Sequence, residues 1–319
     1  MAGLVASRSV SAQPSPLKAL VLTGVLCLIW GSTWIVIQGG LKSLPPFSSA
    51  ALRFTIAALC MAALAARLAE REGGASPTLS LSLVQGTLNF GISYGLVYWS
   101  ETKLPSGLVS VLWAVYPMLQ ATVGHLFLPG ERLRRGQLAG FVLGFVGVGC
   151  LFGTDLRAIG PEAIPSGALL LLSPLVSALG TTYVKKHGGG TSSLRLNRNG
   201  MAIGALLLWG AALFAEREAS FTWDWRALFS LLYLALFGTV TAFGLYFWLL
   251  RHTPANRLSV IAYVTPAIAL TLGLTLGHEP ITGFTLAGLG AILVGVFLVH
   301  RGPREKEAPR SVETSAVPD

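Results

Sequence analysis

The sequence predicts an all-α membrane protein of ten transmembrane helices, arranged as two inverted five-helix repeats. Three observations carry that expectation. Of 319 residues, 53% are hydrophobic and only 12% charged, where a soluble domain carries about 25% charged residues. Ten apolar runs follow one another, nearly all close to the roughly 20 residues a helix needs to cross the hydrocarbon core. Finally, a set of residues in the first half returns in the second half at one constant offset.

Residues 1–17 are small and polar with two prolines, and read as a disordered cytoplasmic tail. The first five runs are 19–40, 47–66, 79–100, 104–128 and 136–152; the second five are 163–184, 199–215, 227–250, 258–277 and 281–299. Residues 303–319, with Glu305, Lys306 and Glu307, read as a second disordered tail. The first run exceeds the apolar core of a removable signal peptide, and its central motif recurs, so it belongs to the fold. With the N-terminus inside, only Lys42, Lys103, Arg157, Arg217 and Arg226 fall in outside loops, and nearly all other Lys and Arg fall inside. That bias predicts cytoplasmic N- and C-termini.

The repeat is read residue by residue. Gly31-Ser32-Thr33-Trp34 returns as Gly180-Thr181-Thr182-Tyr183, Gly95-Leu96 and Trp99 as Gly244-Leu245 and Trp248, Pro105 as Pro254 and Pro117 as Pro266. One residue then drops out, and Glu131, Gly140 and Gly147 return as Glu279, Gly288 and Gly295. The copies run from 18–154 and 162–302. An odd number of helices per copy turns the second copy upside down, the arrangement secondary transporters use around a midplane site.

Polar and aromatic residues inside the runs are the candidate binding positions. Trp30 and Trp34 share one helix face, with Ser32 and Thr33 beside it, and read either as a cavity wall or as interhelical packing. Trp113, Tyr116 and Gln120 form one stripe, and Pro117 cannot donate to the Trp113 carbonyl. Pro266 does the same to Ala262, beside Tyr263, so both prolines read as kinks or hinges. Asn89 requires a partner in mid-membrane, whether substrate or a neighbouring helix, and Tyr94 and Tyr98 share a face of the same run. Thr181, Thr182 and Tyr183 complete the set by repetition. Arg53, the one charge deep in a run, lies close enough to the run's start to snorkel outward or cap a carbonyl; an anion contact is the alternative. Gly136, Gly140 and Gly144, echoed by Gly283, Ala287, Ala291 and Gly295, allow close helix contact, joining the two halves or two copies of the chain as a homodimer.

Several classes are excluded. The net charge of +9 is spread between runs with no basic stripe, which argues against nucleic acid. Cys27, Cys60 and Cys150 lie within apolar runs, and no Cys or His spacing suits a metal. There is no Walker loop, no catalytic triad and no paired carboxylate, so no catalytic residue and no cofactor is expected. No Asp or Glu lies within a run, which leaves proton coupling without an obvious carrier.

Trp30-Gly31-Ser32-Thr33-Trp34, Leu52-Arg53-Phe54, Pro105-Ser106-Gly107, Pro117 and Gly130-Glu131-Arg132-Leu133 resemble the EamA repeat of the drug/metabolite transporter superfamily. The second copy departs from it, with Leu179 in place of the leading Trp and no match for Arg53. The resemblance implies ten helices, a central cavity lined by runs 1, 3, 4, 6, 8 and 9, and efflux of small molecules such as amino acids across a bacterial inner membrane. A drug or cation exporter and a non-transporting membrane scaffold or receptor are the competing expectations.

Overall fold

The computed structural model describes residues 15–129, 131, 133, 135–153, 155–252, 258 and 260–300. The two expected tails (the first except residues 15–17), Pro254, and Gly130 and Arg132 of the family motif lie outside the described residues. All regular structure among the described residues is helical apart from a single bridge between Ala75 and Thr191.

The chain opens with α1 (Pro16–Leu41) and α2 (Pro46–Glu72). The third rod is composite: α3 (Leu79–Val84), a π-helical stretch (Gln85–Ile92) and α4 (Ser93–Glu101). Next come α5 (Ser106–Trp113) and α6 (Tyr116–Phe127), collinear in sequence but interrupted at Ala114 and Val115. There follow α7 (Arg135–Gly153), the short α8 (Asp155–Ile159), α9 (Ala163–His187) and α10 (Ser193–Ala215). A second composite rod joins α11 (Trp225–Leu232), a π-helical stretch (Tyr233–Thr241) and α12 (Ala242–His252). The described chain ends with α13 (Val260–Thr275) and α14 (Gly283–His300).

Seven of these stretches are long and apolar enough to cross a membrane, and Val260–Thr275 and Gly283–Val299 are shorter apolar helices. Leu79–Glu101 is not among the seven; Gln85, Asn89 and Glu101 interrupt its apolar surface. Leucines and phenylalanines such as Leu126, Leu206, Leu213 and Phe214 are more than half exposed, as side chains that face lipid tails are. The seventh run starts earlier than its apolar stretch: α10 begins at Ser193, because Arg195 and Arg198 in its first turns mask the helix from a hydropathy reading.

The halves pack across each other. α2 lies along α10, α7 along α14, and α1 along α13. Glycines set the closest of these contacts: a Cβ on Gly140 would come within 2.5 Å of the Gly295 carbonyl, and one on Gly147 within 2.7 Å of the Gly288 carbonyl. The small-residue faces therefore join the two halves within one chain. Phe54, Phe90, Leu112, Met118, Leu151, Met201, Leu234 and Ile292 form one continuous core from both halves.

Carboxylates stitch the helix starts. Glu216, at the end of α10, accepts from the Phe47 and Ser48 amides (2.6 and 2.9 Å) at the start of α2. Glu72, at the end of α2, accepts from the Leu194 amide and the Ser192 and Ser193 hydroxyls at the start of α10. Each satisfies amides that a helix start leaves unpaired.

Candidate functional site

The helix interruption at Pro117 is where the site is built. Lacking its N–H, Pro117 cannot continue the ladder; the Ala114 amide instead tightens onto both Ser110 and Val111 carbonyls (3.1 and 3.2 Å). The break presents Trp113, Tyr116 and Pro117 to one side, opposite Ala262, Thr265 and Pro266 of α13 and Trp34 of α1. Together with Ser110 and Ala114 these residues enclose a small cavity of about 60 Å³. Pro266 behaves differently from Pro117: α13 runs through it unbroken. The Thr265 hydroxyl donates to the Ile261 carbonyl at 2.8 Å, one residue before the Ala262 carbonyl that Pro266 leaves without its amide. The two prolines thus differ: the helix is interrupted just before Pro117 and continues through Pro266.

Aromatic rings stack around the cavity. Trp113 stacks on Tyr116 with centroids 4.8 Å apart and meets Trp34 at 6.2 Å. The Trp113 indole donates to Ser173 Oγ (3.1 Å), which bonds Ser93 Oγ (2.9 Å), so the ring is held by α9 and α4. Behind the stack lies a polar network. Tyr116 donates to Thr181 and Gln120 (3.2 Å each), and Gln120 donates to Thr182 (2.9 Å). Asn89 donates to Gln85 (2.8 Å) and accepts from Ser177 and Thr181 (2.9 and 3.3 Å). The partner that Asn89 requires is thus α9, and Gly180 lets it approach, since a Cβ there would sit 2.7 Å from the amide nitrogen.

Other expected positions do not border this cavity. Trp30 packs against Phe243 and Tyr246 of α12 (5.9 and 5.5 Å). Ser32 bonds the Tyr233 hydroxyl at 2.7 Å, and Thr33 bonds back to the Trp30 carbonyl. Gly31 brings α1 onto α13, a Cβ there lying 2.6 Å from Ile268. Tyr183 rests on His187, and Tyr263 packs against the central core.

Arg53 corrects the expectation of a snorkelling side chain or carbonyl cap. It is 1% exposed, donates to Thr239 (3.0 Å) and Tyr98 (3.4 Å), and lies over the Tyr94 and Phe54 rings. Thr239 in turn donates to the Leu234 carbonyl within the second π-helical stretch. Arg53 and Tyr98, both buried, and the half-buried Tyr94 form one cluster tying α2 and α4 to that stretch.

At the end of the molecule that holds the α1–α2 and α4–α5 connections, Glu279 enters from the turn after α13. His278 adopts a left-handed conformation (φ 51°), which reverses the chain there. The Glu279 carboxylate, 8% exposed, accepts from the Ser106 amide and hydroxyl (2.8 and 2.7 Å) and the Gly107 amide (2.8 Å). With its amide nitrogen turned inward, Gln38 adds a fourth donor at 2.8 Å. This clasp joins α1, α5 and the turn after α13. Nearby, the hydrogen bond and charge of Lys103, 2.7 Å away, hold the Glu162 carboxyl below the usual carboxylate range. Glu131, which the repeat matches to Glu279, pairs instead with Lys185.

One family model, the EamA-like transporter family, matches the chain twice, over residues 17–153 and 165–301. The chain belongs to the EamA-like transporter family. It is a multi-pass membrane protein of the drug/metabolite transporter superfamily. It is 28% identical over 91% of its length to 94% of an uncharacterized transporter, YvbV, of Bacillus subtilis. It is 29% identical over 87% of its length to 89% of an uncharacterized inner membrane transporter, YedA, of Escherichia coli. A protein of Salmonella typhimurium named a probable amino-acid metabolite efflux pump is 28% identical, over 90% of this chain and 96% of that one. A crystal structure 19% identical superposes with a TM-score of 0.61, over 88% of this chain and 96% of that chain, a likeness of fold.

Sequence reasoning passed over several of these groups in the EamA-like chain. Ser173, Thr239 and Tyr233 are ordinary residues in apolar runs, and only the packing brings them to Trp113, Arg53 and Ser32. Glu101 was set just outside its run, whereas the structure places it in the last turn of α4, 3% exposed. Its position at a run's edge was the one available signal.

Proposed function

We propose that this transporter exports small organic solutes, amino acids or related metabolites, by alternating access through the cavity at the Pro117 break. The observation that carries the reading is the meeting of both family repeats there, with Trp34, Trp113, Tyr116 and Pro117 of one facing Thr265 and Pro266 of the other. In this reading the ten rods are ten spans, the second repeat is inverted, and both termini are cytoplasmic in a bacterial inner membrane. The chain has no catalytic role and works on a small-molecule substrate within the lipid bilayer. The reciprocal carboxylate caps on α2 and α10, and the π-helical stretches at matching places in both halves, support the inversion.

At about 60 Å³ the cavity is far below the roughly 300 Å³ at which ligand pockets begin. The conformation is therefore a shut one. Admitting an amino acid requires α5 and α6 to part from α13, and the break at Ala114–Val115 is the place for α6 to swing. The Trp34 and Trp113 faces then bound the substrate's apolar part, while Tyr116, Gln120, Asn89, Thr181 and Thr182, already linked to one another, exchange a hydrogen bond with its polar part. No carboxylate lines the cavity, which favours zwitterionic or apolar solutes over drug-like cations. The relative named as an amino-acid metabolite efflux pump points the same way.

The test is accumulation of a labelled amino-acid mixture by inverted membrane vesicles. Wild type is expected to accumulate label, and Trp113→Ala, folded by its elution from size exclusion, to lose it. Failure of wild type to accumulate any amino acid would remove the substrate assignment.

A further inference from the structure

Glu101 stands apart from the other buried and half-buried acids. Glu72, Glu216, Asp155 and Glu279 each accept from hydroxyls or amides of a neighbouring segment. Neither oxygen of Glu101 has a hydrogen-bond partner, and its side chain is 3% exposed. An ionised carboxylate left that way costs far more than the neutral acid.

Its surroundings define what the group can do. The charges acting on it are Glu279, from the turn after α13, and Arg53, from α2; the Gln38 backbone on α1 lies within reach of it but makes no hydrogen bond of good geometry. Tyr98 lies on its own helix and is engaged with Arg53. From α5 the nearby donors, Ser106 and Gly107, are spent on Glu279, and from α9 the Ser166 carbonyl takes the Ser100 hydroxyl. Arg53 gives its hydrogen bonds to Thr239 and Tyr98 and makes no ion pair among the described residues. One cation and two carboxylates thus share a region closed to water. Four donors satisfy the Glu279 carboxylate and none reaches Glu101, so a proton on Glu101 leaves the Arg53 cation facing a single carboxylate.

The acid is not a requirement of the repeat. At the offset that carries Gly95 to Gly244, Glu101 corresponds to Leu250, and Arg53 likewise has no twin, whereas Glu279 matches Glu131.

We propose that Glu101 is a proton-binding site coupled to the Glu279 clasp: it holds a proton while the clasp is shut and gives it to the outer water when the clasp opens. This rests on the alternating-access reading. Withdrawal of Glu279 removes a like charge and admits water, and Glu101 then ionises beside Arg53. Closing again takes one proton from the outer side. The shut state binds one proton more than the open state, so acid outside favours the shut state and alkali the open one. In an exporter, this makes the return of the empty carrier dependent on an outer proton.

The experiment needs no substrate. Cys27, Cys60 and Cys150 are replaced by alanine, Ser110→Cys puts a thiol in the cavity wall, and spheroplasts are treated with a membrane-impermeant maleimide at varied outer pH. Rates are divided by those of a Lys103→Cys control, which removes the reagent's own pH dependence. Relative labelling in the otherwise wild-type chain is expected to fall with acidity, by up to about tenfold per pH unit for one coupled proton. Glu101→Gln, a fixed neutral mimic, should label slowly at every pH. Labelling independent of pH, or a Glu101→Gln chain that titrates as wild type does, overturns the proton site alone. No labelling at any pH overturns alternating access with it. Should Glu101→Gln not fold, infrared spectroscopy of the wild-type chain decides: a protonated buried carboxyl band at neutral pH, lost in step with faster labelling, is expected. Its absence overturns the proposal.

Discussion

Arg53 shows how a residue's depth in a helix misleads when the neighbours are unknown. Counting from the start of its run allowed it to reach the surface; α4 and the second π-helical stretch instead cover it on every side. Replacing it by alanine strands the Tyr98 hydroxyl, fully buried, and empties the space over Tyr94. We expect Arg53→Ala to lose about 3 kcal/mol of stability, in the range for removing one member of a buried polar set, read by thermal unfolding in detergent. Arg53→Lys should recover little, since an ammonium cannot make both directed contacts from one plane. A gentler case lies at the start of α11, where Asp224 accepts from the Ala227 amide at 2.9 Å. That hydrogen bond holds the carboxyl below its usual value. The cap's contribution is therefore complete above the ordinary carboxylate range and disappears as pH falls through the lowered value. Protection of the Ala227 amide, its exchange rate compared with that of a free amide at the same pH, should fall only in acid, and in Asp224→Ala it should be low already at neutral pH. At this scale the sequence showed residue types well and partners poorly. Asn89 plainly needed a partner; that the partner was α9 required the fold.

Helices were legible where hydropathy alone determines them and less so where polar side chains or single atoms intervene. The runs at α1, α7 and α14 were placed within a few residues, because nothing in them competes with the apolar signal. The start of α10 was hidden by two arginines, and the π-helical stretches have no marker in composition. The prolines look alike in sequence, yet the helix is interrupted before Pro117 and continues through Pro266. Glycine spacing was the most informative helix-level feature. Gly140, Gly147 and Gly295 each face a backbone carbonyl across the α7–α14 contact, which cannot yield as a flexible side chain can. Gly147→Leu should force these helices apart and cost about 1–3 kcal/mol, the usual range for overpacking. Gly149, on the same helix with nothing within 4 Å, should accept leucine with no measurable loss. Comparing the two melting temperatures checks the assignment of the face.

Across the whole molecule, three carboxylates dock on the starts of helices from the other half, and their roles divide by what they join. Glu216 and Glu72 tie α2 and α10 to each other, two long helices that already pack side by side. Glu279 ties α5 to α13, the two helices whose separation would open the cavity. A cap between helices that stay together supplies stability; in the alternating-access reading, a cap between helices that part sets an equilibrium. Glu216→Gln should therefore lower the melting temperature, with a loss of about 1–2 kcal/mol, and leave labelling of a Ser110→Cys thiol from the outer side unchanged. Glu279→Gln weakens its charge-assisted bonds to Ser106 and Gly107 and should shift the clasp toward the open state. Each 1.4 kcal/mol lost there raises the open fraction about tenfold, so labelling should rise by roughly that factor with little change in melting. Equal effects of the two substitutions on labelling would mean that all three carboxylates are structural, and the opening would then have to be sought at the other end, where Glu131 pairs with Lys185.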